Sequence, residues 1–398
     1  MVRLGIIGVG NMGSGHTKNI MEGKCPEIVL TAVADVKPAR KEWLDGMVKE
    51  YGYSEVAFFN TAEEMLDSGL IDACIIAVPH YFHPPYAIAC MERGIHVMSE
   101  KPAGVYTKQV REMNEAAKAH PDVVFGMMFN QRTNCIYRKM RELVQSGEYG
   151  EIRRTNWIIT DWYRSQAYYD SGEWRATWSG EGGGVLLNQC PHNLDLWQWI
   201  CGMPVKVSTH MKFGKWHDIE VEDDVTTYVE YANGATGTFI TTTGDAHGTN
   251  RFEIQLDKAR LIGQVNEQLR KFELKVLVYD VAESEYTKYN KEGFRPMDAH
   301  EIDPQLDGKD EEHVGVLNAW AGAILRGEPL VADGSEGING LMLSNAMHLS
   351  AWLGKDIELP VDEDLYYEEL MKRVATSRRK TNVHEVVSDT SGTYGGAK

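Results

Sequence analysis

The sequence predicts an α/β protein. A doubly wound parallel sheet comes first, followed by an α+β domain with a large, open, mostly antiparallel sheet. Three observations carry this prediction. From residue 2 to about 128, short continuous apolar runs alternate with stretches of helical spacing, the pattern of strands covered by helices on both faces. Beyond about residue 150, strand-like runs follow one another without helices between them. The length, 398 residues, exceeds what one hydrophobic core usually serves. The expected division is 1–128 for the first domain, 129–375 for the second and 376–398 for a polar, Gly-rich tail, either loose or contacting a partner.

The elements follow in order. Residues 2–8, VRLGIIG, read as a buried strand, and GNMGSGHTKNIMEG as a turn opening a helix. IVLTAVAD (28–35) is a second strand that ends in an acid, and ARKEWLDGMVKEYG is helical. Thr61 with Glu64 three residues on is a capping-box pattern. IDACIIAVP (71–79), IHVMSEKP and VVFGMMFNQR are strands, separated by the helices HPPYAIACMERG and TKQVREMNEAAKAH. In the second half, EIRRTNWIITDWY, VKVSTHMKFGK, DVTTYVEYANGATGTFITTTG, RFEIQLDKARLIG and KFELKVLVYD alternate or are β-branched. Asn233-Gly234 between two such runs signals a hairpin. Two amphipathic helices, HVGVLNAWAGAILRG and GINGLMLSNAMHLSAWLG, come late in the chain.

Charge and cysteine usage narrow the function. The net charge is −17 and no basic block appears before SRRK near the end, which argues against nucleic acid or an anionic membrane as partner. Six scattered cysteines without a CxxC pair read as buried thiols in a reducing compartment. No run approaches 18 apolar residues and the first strand begins at once, so a cytoplasmic protein is expected. His80 and His83 are three apart, but no further ligand stands at matching spacing, so no metal site is expected.

GVGNMG places Gly8, Gly10 and Gly13 in GxGxxG spacing, between a strand and a helix. Gly8 permits the tight turn, Gly10 lets a pyrophosphate approach and Gly13 lets the helix pack on the sheet. The phosphates would lie on the helix N-terminus, at Asn11, Met12 and Gly13. Asp35, 22 residues after Gly13, would accept from ribose hydroxyls and repel a 2′-phosphate. That favours NAD over NADP, with Arg40 as the counter-signal.

These motifs, with AVPHYFH (77–83), SEKP (99–102), EGGGVLLNQCPHNLDLWQWICGMP (181–204) and ILRGEPLVADGSEG, resemble the Gfo/Idh/MocA oxidoreductase family over roughly residues 2–370. The resemblance implies a Rossmann domain, a second domain whose open sheet is often buried in a homodimer or homotetramer, and hydride transfer between NAD(P) and a carbinol of a sugar or cyclitol. It places Lys101 beside the nicotinamide, where its ammonium would polarise the reacting oxygen. Glu100 would orient Lys101 or touch the ribose. His192, after Pro191 at the start of a helix, would be the general base, and Asp195 would hold that histidine or a sugar hydroxyl.

Further cofactor contacts are expected from Pro79, His80, His83, Gln131, Trp174 and Arg175, with Asn130 beside them. Substrate contacts are expected from Asn188, Gln189 and Arg175, with Tyr163, Tyr168 and Trp178 as sugar-facing platforms and His247 and Arg251 as weaker candidates. Many members carry aspartate four residues before the histidine; here Asn188 stands there. An amide cannot be a base but can bind hydroxyls, so a two-carboxylate scheme is not expected. Two alternatives share the site: a redox-neutral NAD-dependent glycosidase or lyase, with Tyr163 or His247 as extra base, and a non-catalytic dinucleotide sensor.

Overall fold

The computed structural model describes residues 1–266, 268, 269, 271–378, 380, 383 and 384. Strands β1 (Val2–Ile7), β2 (Ile28–Ala34), β3 (Ala57–Phe59), β4 (Ala73–Ile76), β5 (His96–Ser99) and β6 (Phe125–Met127) form one sheet, ordered β3-β2-β1-β4-β5-β6. Every pairing in it is parallel. Helices α1 (Asn11–Met21), α2 (Ala39–Glu50), α3 (Ala62–Leu66), α4 (His83–Met91) and α5 (Thr107–Ala119) connect the strands. Leu4, Ile6, Ile75 and Val97 are fully buried, as the uninterrupted apolar runs demand. The strand order reverses between β1 and β4, which opens a crevice at their carboxyl ends.

The second sheet has nine strands: β7 (Ile152–Ile159), β8 (Lys206–Phe213), β9 (Glu222–Glu230), β10 (Thr236–Thr242), β11 (Asn250–Leu256), β12 (Ala259–Asn266), β13 (Lys271–Tyr279), β14 (Ala299–Ile302) and β15 (Ile357–Glu358). Their order is β14-β13-β12-β11-β7-β10-β9-β8-β15. Only β7 and β10 pair in parallel. The remaining helices are α6 (Cys135–Gln145), α7 (Gln166–Tyr169), α8 (Pro191–Cys201), α9 (Glu283–Tyr289), α10 (Glu312–Arg326), α11 (Gly337–Leu353) and α12 (Glu363–Val374).

Alternation sorts the two faces of this sheet. Trp157, Phe239 and Phe252 point inward and are fully buried. Trp157 stacks on Phe252 with ring centroids 4.2 Å apart, and Trp197 of α8 stacks on Phe239 at 5.4 Å. The other face turns Thr226, Tyr228, Ile240 and Ile158 outward. The predicted hairpin joins β9 to β10, with Gly234 at φ +83°. Thr61 caps α3, its hydroxyl accepting from the Glu64 amide at 3.2 Å.

Two features add to the expected division. Helix α10 lies in the second segment by sequence, yet it buries Val316, Leu317, Trp320 and Ala321 in the core that holds Leu4, Ile6 and Ile75. The first sheet therefore needs a helix supplied from far along the chain, and a boundary at 128 does not separate two independent cores. Where it is described, the tail contacts the chain's own second segment. Ser377 donates to Glu220 (2.6 Å), Lys380 Nζ donates to the Tyr169 carbonyl (2.5 Å) and the His384 amide donates to the Asp170 carbonyl (3.0 Å). Residues 385–398 lie outside the described residues.

Candidate active site

The glycine turn shows why its residues are small. Gly8 has φ +85°, and a Cβ there would meet the Ala77 carbonyl at 2.5 Å; one at Gly13 would meet the Gly8 carbonyl at 1.9 Å. A Cβ at Gly10 would meet nothing within 4 Å. The turn is therefore crowded behind and open in front. No side chain caps α1, whose first N–H groups at Asn11, Met12 and Gly13 begin at that opening. This cradle fits a pyrophosphate.

Asp35 bridges the turn. One oxygen accepts from the Val9 amide and the other from the Lys37 amide, both at 2.9 Å. Each oxygen keeps a further lone pair that a ribose hydroxyl can use. Arg40 sits at the second position of α2.

Lys101 lies just beyond the carboxyl end of β5 and reaches across to the second segment, where its Nζ donates to the Asn188 carbonyl at 2.9 Å. Burial, aided by the Arg164 and Arg175 charges, lowers its pKa to about 8. His192 is in the first turn of α8, which Pro191 opens. Burial holds its imidazole well below the usual value, and the Lys101 charge acts in the same direction. The ring is therefore neutral near pH 7, a form that can accept a proton.

Glu100 does not orient the Lys101 ammonium by contact. Its Oε1 accepts from His16 Nε2 of α1 at 2.6 Å and its Oε2 from the Lys101 amide at 3.2 Å. Burial pushes this carboxyl up, but the His16 bond and the neighbouring charges of His16, His313 and Lys101 outweigh it and hold the pKa at about 2.

Residues 185–189 form a π-helical turn leading into α8. Glu222 sets it, accepting from the amides of Gly184 (2.8 and 2.9 Å) and Leu186 (3.0 Å), while His348 pairs with Glu222 at 2.9 Å from behind. A Cβ at Gly184 would meet the Glu222 carbonyl at 2.1 Å, so the glycine run is a packing requirement. The turn carries Asn188 and Gln189. Both amides approach the Tyr168 hydroxyl, at 3.4 and 3.3 Å, and Arg175 donates to it at 2.8 Å. Gln189 Oε1 and Asn130 Oδ1 are buried with no hydrogen-bond partner among the described residues.

His80 contacts the Glu181 carbonyl at 3.1 Å and meets the Trp174 ring edge-on at 5.3 Å. Pro79 precedes this turn. Arg175 lies over Tyr168 and Trp174. Gln131 is in the 3-10 turn after β6.

Several expected contacts are not formed. Asp195 does not face His192. Arg132 takes both of its oxygens, at 2.8 and 2.6 Å, and Gln198 adds a third bond. Arg132 also binds the partly exposed Glu336, so Asp195 is taken up by a buried ion pair with an outer carboxylate. His83 has no nitrogen left for a ribose, because Pro102 and Val78 carbonyls lie 2.7 Å from its two ring nitrogens. Trp178 packs in an aromatic cluster with His348 and Trp352. Arg251 pairs with Glu253 on the sheet. Tyr163 is half exposed. His247 is on an exposed loop, and among the described residues no hydrogen bond or ring contact joins it to the others.

Two further residues belong to the site. Arg164, whose guanidinium lies 5.1 Å from the Tyr168 ring, is near enough to depress Lys101. Glu181 is buried, accepts from the Ala176 amide at 2.5 Å and bonds the Asn188 side chain. Among the described residues no group of three His, Cys, Asp or Glu could hold a metal ion, and no helix is long and apolar enough to cross a membrane.

Comparison with known proteins agrees with this architecture. Residues 2–127 match the oxidoreductase family with an NAD-binding Rossmann fold, and residues 137–262 match the GFO/IDH/MocA C-terminal domain. The chain is 25% identical to myo-inositol 2-dehydrogenase of Thermotoga maritima over 268 residues, 65% of this chain and 74% of that one. It is 27% identical to D-glucoside 3-dehydrogenase of Escherichia coli over 256 residues, 58% of this chain and 68% of that one. The solved structure of the WlbA dehydrogenase from Chromobacterium violaceum, in complex with NADH and UDP-GlcNAcA, superimposes with a TM-score of 0.74 at 25% identity, covering 91% of this chain and 96% of that one. The chain belongs to the Gfo/Idh/MocA family of NAD-binding oxidoreductases.

Proposed function

We propose that this protein oxidises, or in reverse forms, one carbinol carbon of a sugar, glycoside or cyclitol. Bound NAD supplies the hydride acceptor. The chain's own residues do the rest. Neutral His192 takes the hydroxyl proton, and the Lys101 ammonium donates to the same oxygen and draws charge toward it. Asn188 and Gln189 bind neighbouring hydroxyls. Asp35 and the glycine turn hold the dinucleotide, and the aspartate favours NAD over NADP.

The observation that carries this reading is the Lys101 Nζ bond to the Asn188 carbonyl. It brings the end of β5 against the turn that leads into His192. The relatives named inositol and glucoside dehydrogenases support the substrate class. Redox-neutral glycoside cleavage is less favoured, since its expected extra bases, Tyr163 and His247, stand at exposed positions. The outward face of the nine-stranded sheet, with Tyr228, Ile240 and Ile158, is the surface we assign to self-association as a homodimer or homotetramer; light scattering tests that.

The functional test is NADH formation at 340 nm with a panel of myo-inositol, D-glucose and methyl and aryl D-glucosides, run with NAD and with NADP. Turnover of at least one member with NAD is expected. No turnover together with no NAD binding by calorimetry overturns the proposal.

A further inference from the structure

Asn188 stands where several groups meet. Its carbonyl accepts from Lys101, and its Nδ2 donates to Glu181 and approaches the Tyr168 hydroxyl. Among the described residues nothing donates to its Oδ1. That atom is not among the buried, unpartnered ones, and the residue is half-buried, so Oδ1 is not sealed off from solvent. Glu181, by contrast, is 1% exposed, and its other oxygen is occupied by the Ala176 amide.

Hydrogen-bond chemistry then fixes the amide. A carboxylate only accepts, and of the two ends of a carboxamide only the NH₂ donates. Facing an ionised Glu181, Asn188 has one orientation open to it, with nitrogen inward and oxygen outward. Nothing else nearby makes that choice as firmly, because the Tyr168 hydroxyl can both donate and accept.

Building on the proposed sugar oxidation, we propose that Glu181 is a positioning residue: its carboxylate locks the Asn188 amide so that Oδ1 accepts from a substrate hydroxyl. The site thus selects for a hydroxyl donor at that place on the ring. Protonated Glu181 becomes a donor itself, can bond Asn188 Oδ1, and lets the amide turn its NH₂ outward. The acceptor offered to substrate is then lost. Burial raises the Glu181 pKa to about 7. The titratable groups that face it are Arg175 beside it, Tyr169 of α7, Lys101 and, at its carbonyl, His80 from the first segment, Lys380 from the C-terminal arm and Glu222 beneath the π turn.

The test uses the full chain and three variants: Glu181→Gln, Asn188→Asp and the double variant. With NAD and the best substrate of the panel, the wild-type KM for sugar should rise as pH falls through about 7. Glu181→Gln should raise KM roughly tenfold at pH 8, the worth of about one hydrogen bond, and abolish the rise of KM below pH 8, with NAD affinity nearly kept; kcat is compared on each variant's pH plateau, because losing the carboxylate also lowers Lys101. The double variant should recover KM, because aspartate offers an accepting oxygen whichever way it turns. A KM for Glu181→Gln equal to wild type at pH 8, or no recovery in the folded double variant, overturns the inference while leaving the dehydrogenase reading intact. A readout that needs no substrate is the side-chain amide NMR signal of Asn188, assigned by its loss in Asn188→Asp. It should titrate near pH 7 in wild type and stay flat in Glu181→Gln; a flat wild-type signal sinks the inference whatever the activity.

Discussion

Lys101 and His192 share one buried neighbourhood, and their protonation states complement each other. Burial lowers the lysine to about 8 and holds the histidine well below its usual value. Below about pH 8 the site therefore offers a cation and a neutral base together. Above it the ammonium is lost, and kcat/KM for sugar oxidation should fall with an apparent pKa near 8; a steady-state pH profile from 6 to 10 checks this. Lys101→Ala and His192→Ala should each lower turnover by roughly 10²–10⁴, with NAD affinity by calorimetry little changed.

Motif position and side-chain chemistry single out these two residues in the sequence, and the fold brings the turn before His192 against Lys101. The partner of Asp195 is not legible in this way, since a position three residues from His192 says nothing about Arg132, 63 residues earlier. Removing one partner of such a buried pair leaves an uncompensated charge, so Asp195→Asn should cost about 3–5 kcal/mol in urea unfolding. Glu181 has no local signal of its own; only the fold shows it buried.

At the scale of elements, periodicity found what repeats and missed what does not. The long strands, the hairpin at Asn233-Gly234 and the cap at Thr61 all have local signals. The three-residue β3 is too short for one. Helices α6 and α12 went undelimited although both have caps, Asn134 and Asp362. The π turn has no sequence period of its own and exists because Glu222, from a different strand, holds its amides. Such turns recur at functional sites, and this one presents Asn188 and Gln189. Gly184→Ala would drive a methyl into the Glu222 carbonyl, so it should destabilise the fold by about 3 kcal/mol, measurable by thermal or urea melts. Gly10→Ala meets no such obstacle within the protein. It should leave stability almost unchanged and weaken NAD binding, which calorimetry separates from unfolding.

Across the whole molecule, chain order and spatial order part company. Helix α10 returns to finish the first core, and the C-terminal arm returns to the segment 161–180. Composition revealed two differently built sheets but could not reveal these returns, because each depends on contacts far apart along the chain. The arm places Lys380 within electrostatic reach of Glu181 and Arg175. A chain ending at Thr376 should therefore fold, bind NAD as before and show a KM for sugar roughly tenfold higher, the worth of one or two hydrogen bonds.

The cleft is also bolted across its back. Tyr81 donates to the Trp178 carbonyl at 2.7 Å, and the Thr107 amide donates to Asn345 at 2.9 Å. Asn345 returns a bond to the Val105 carbonyl, and Arg132 ties α8 to the turn after β6. A jaw-like opening of the two halves would have to break these bonds first.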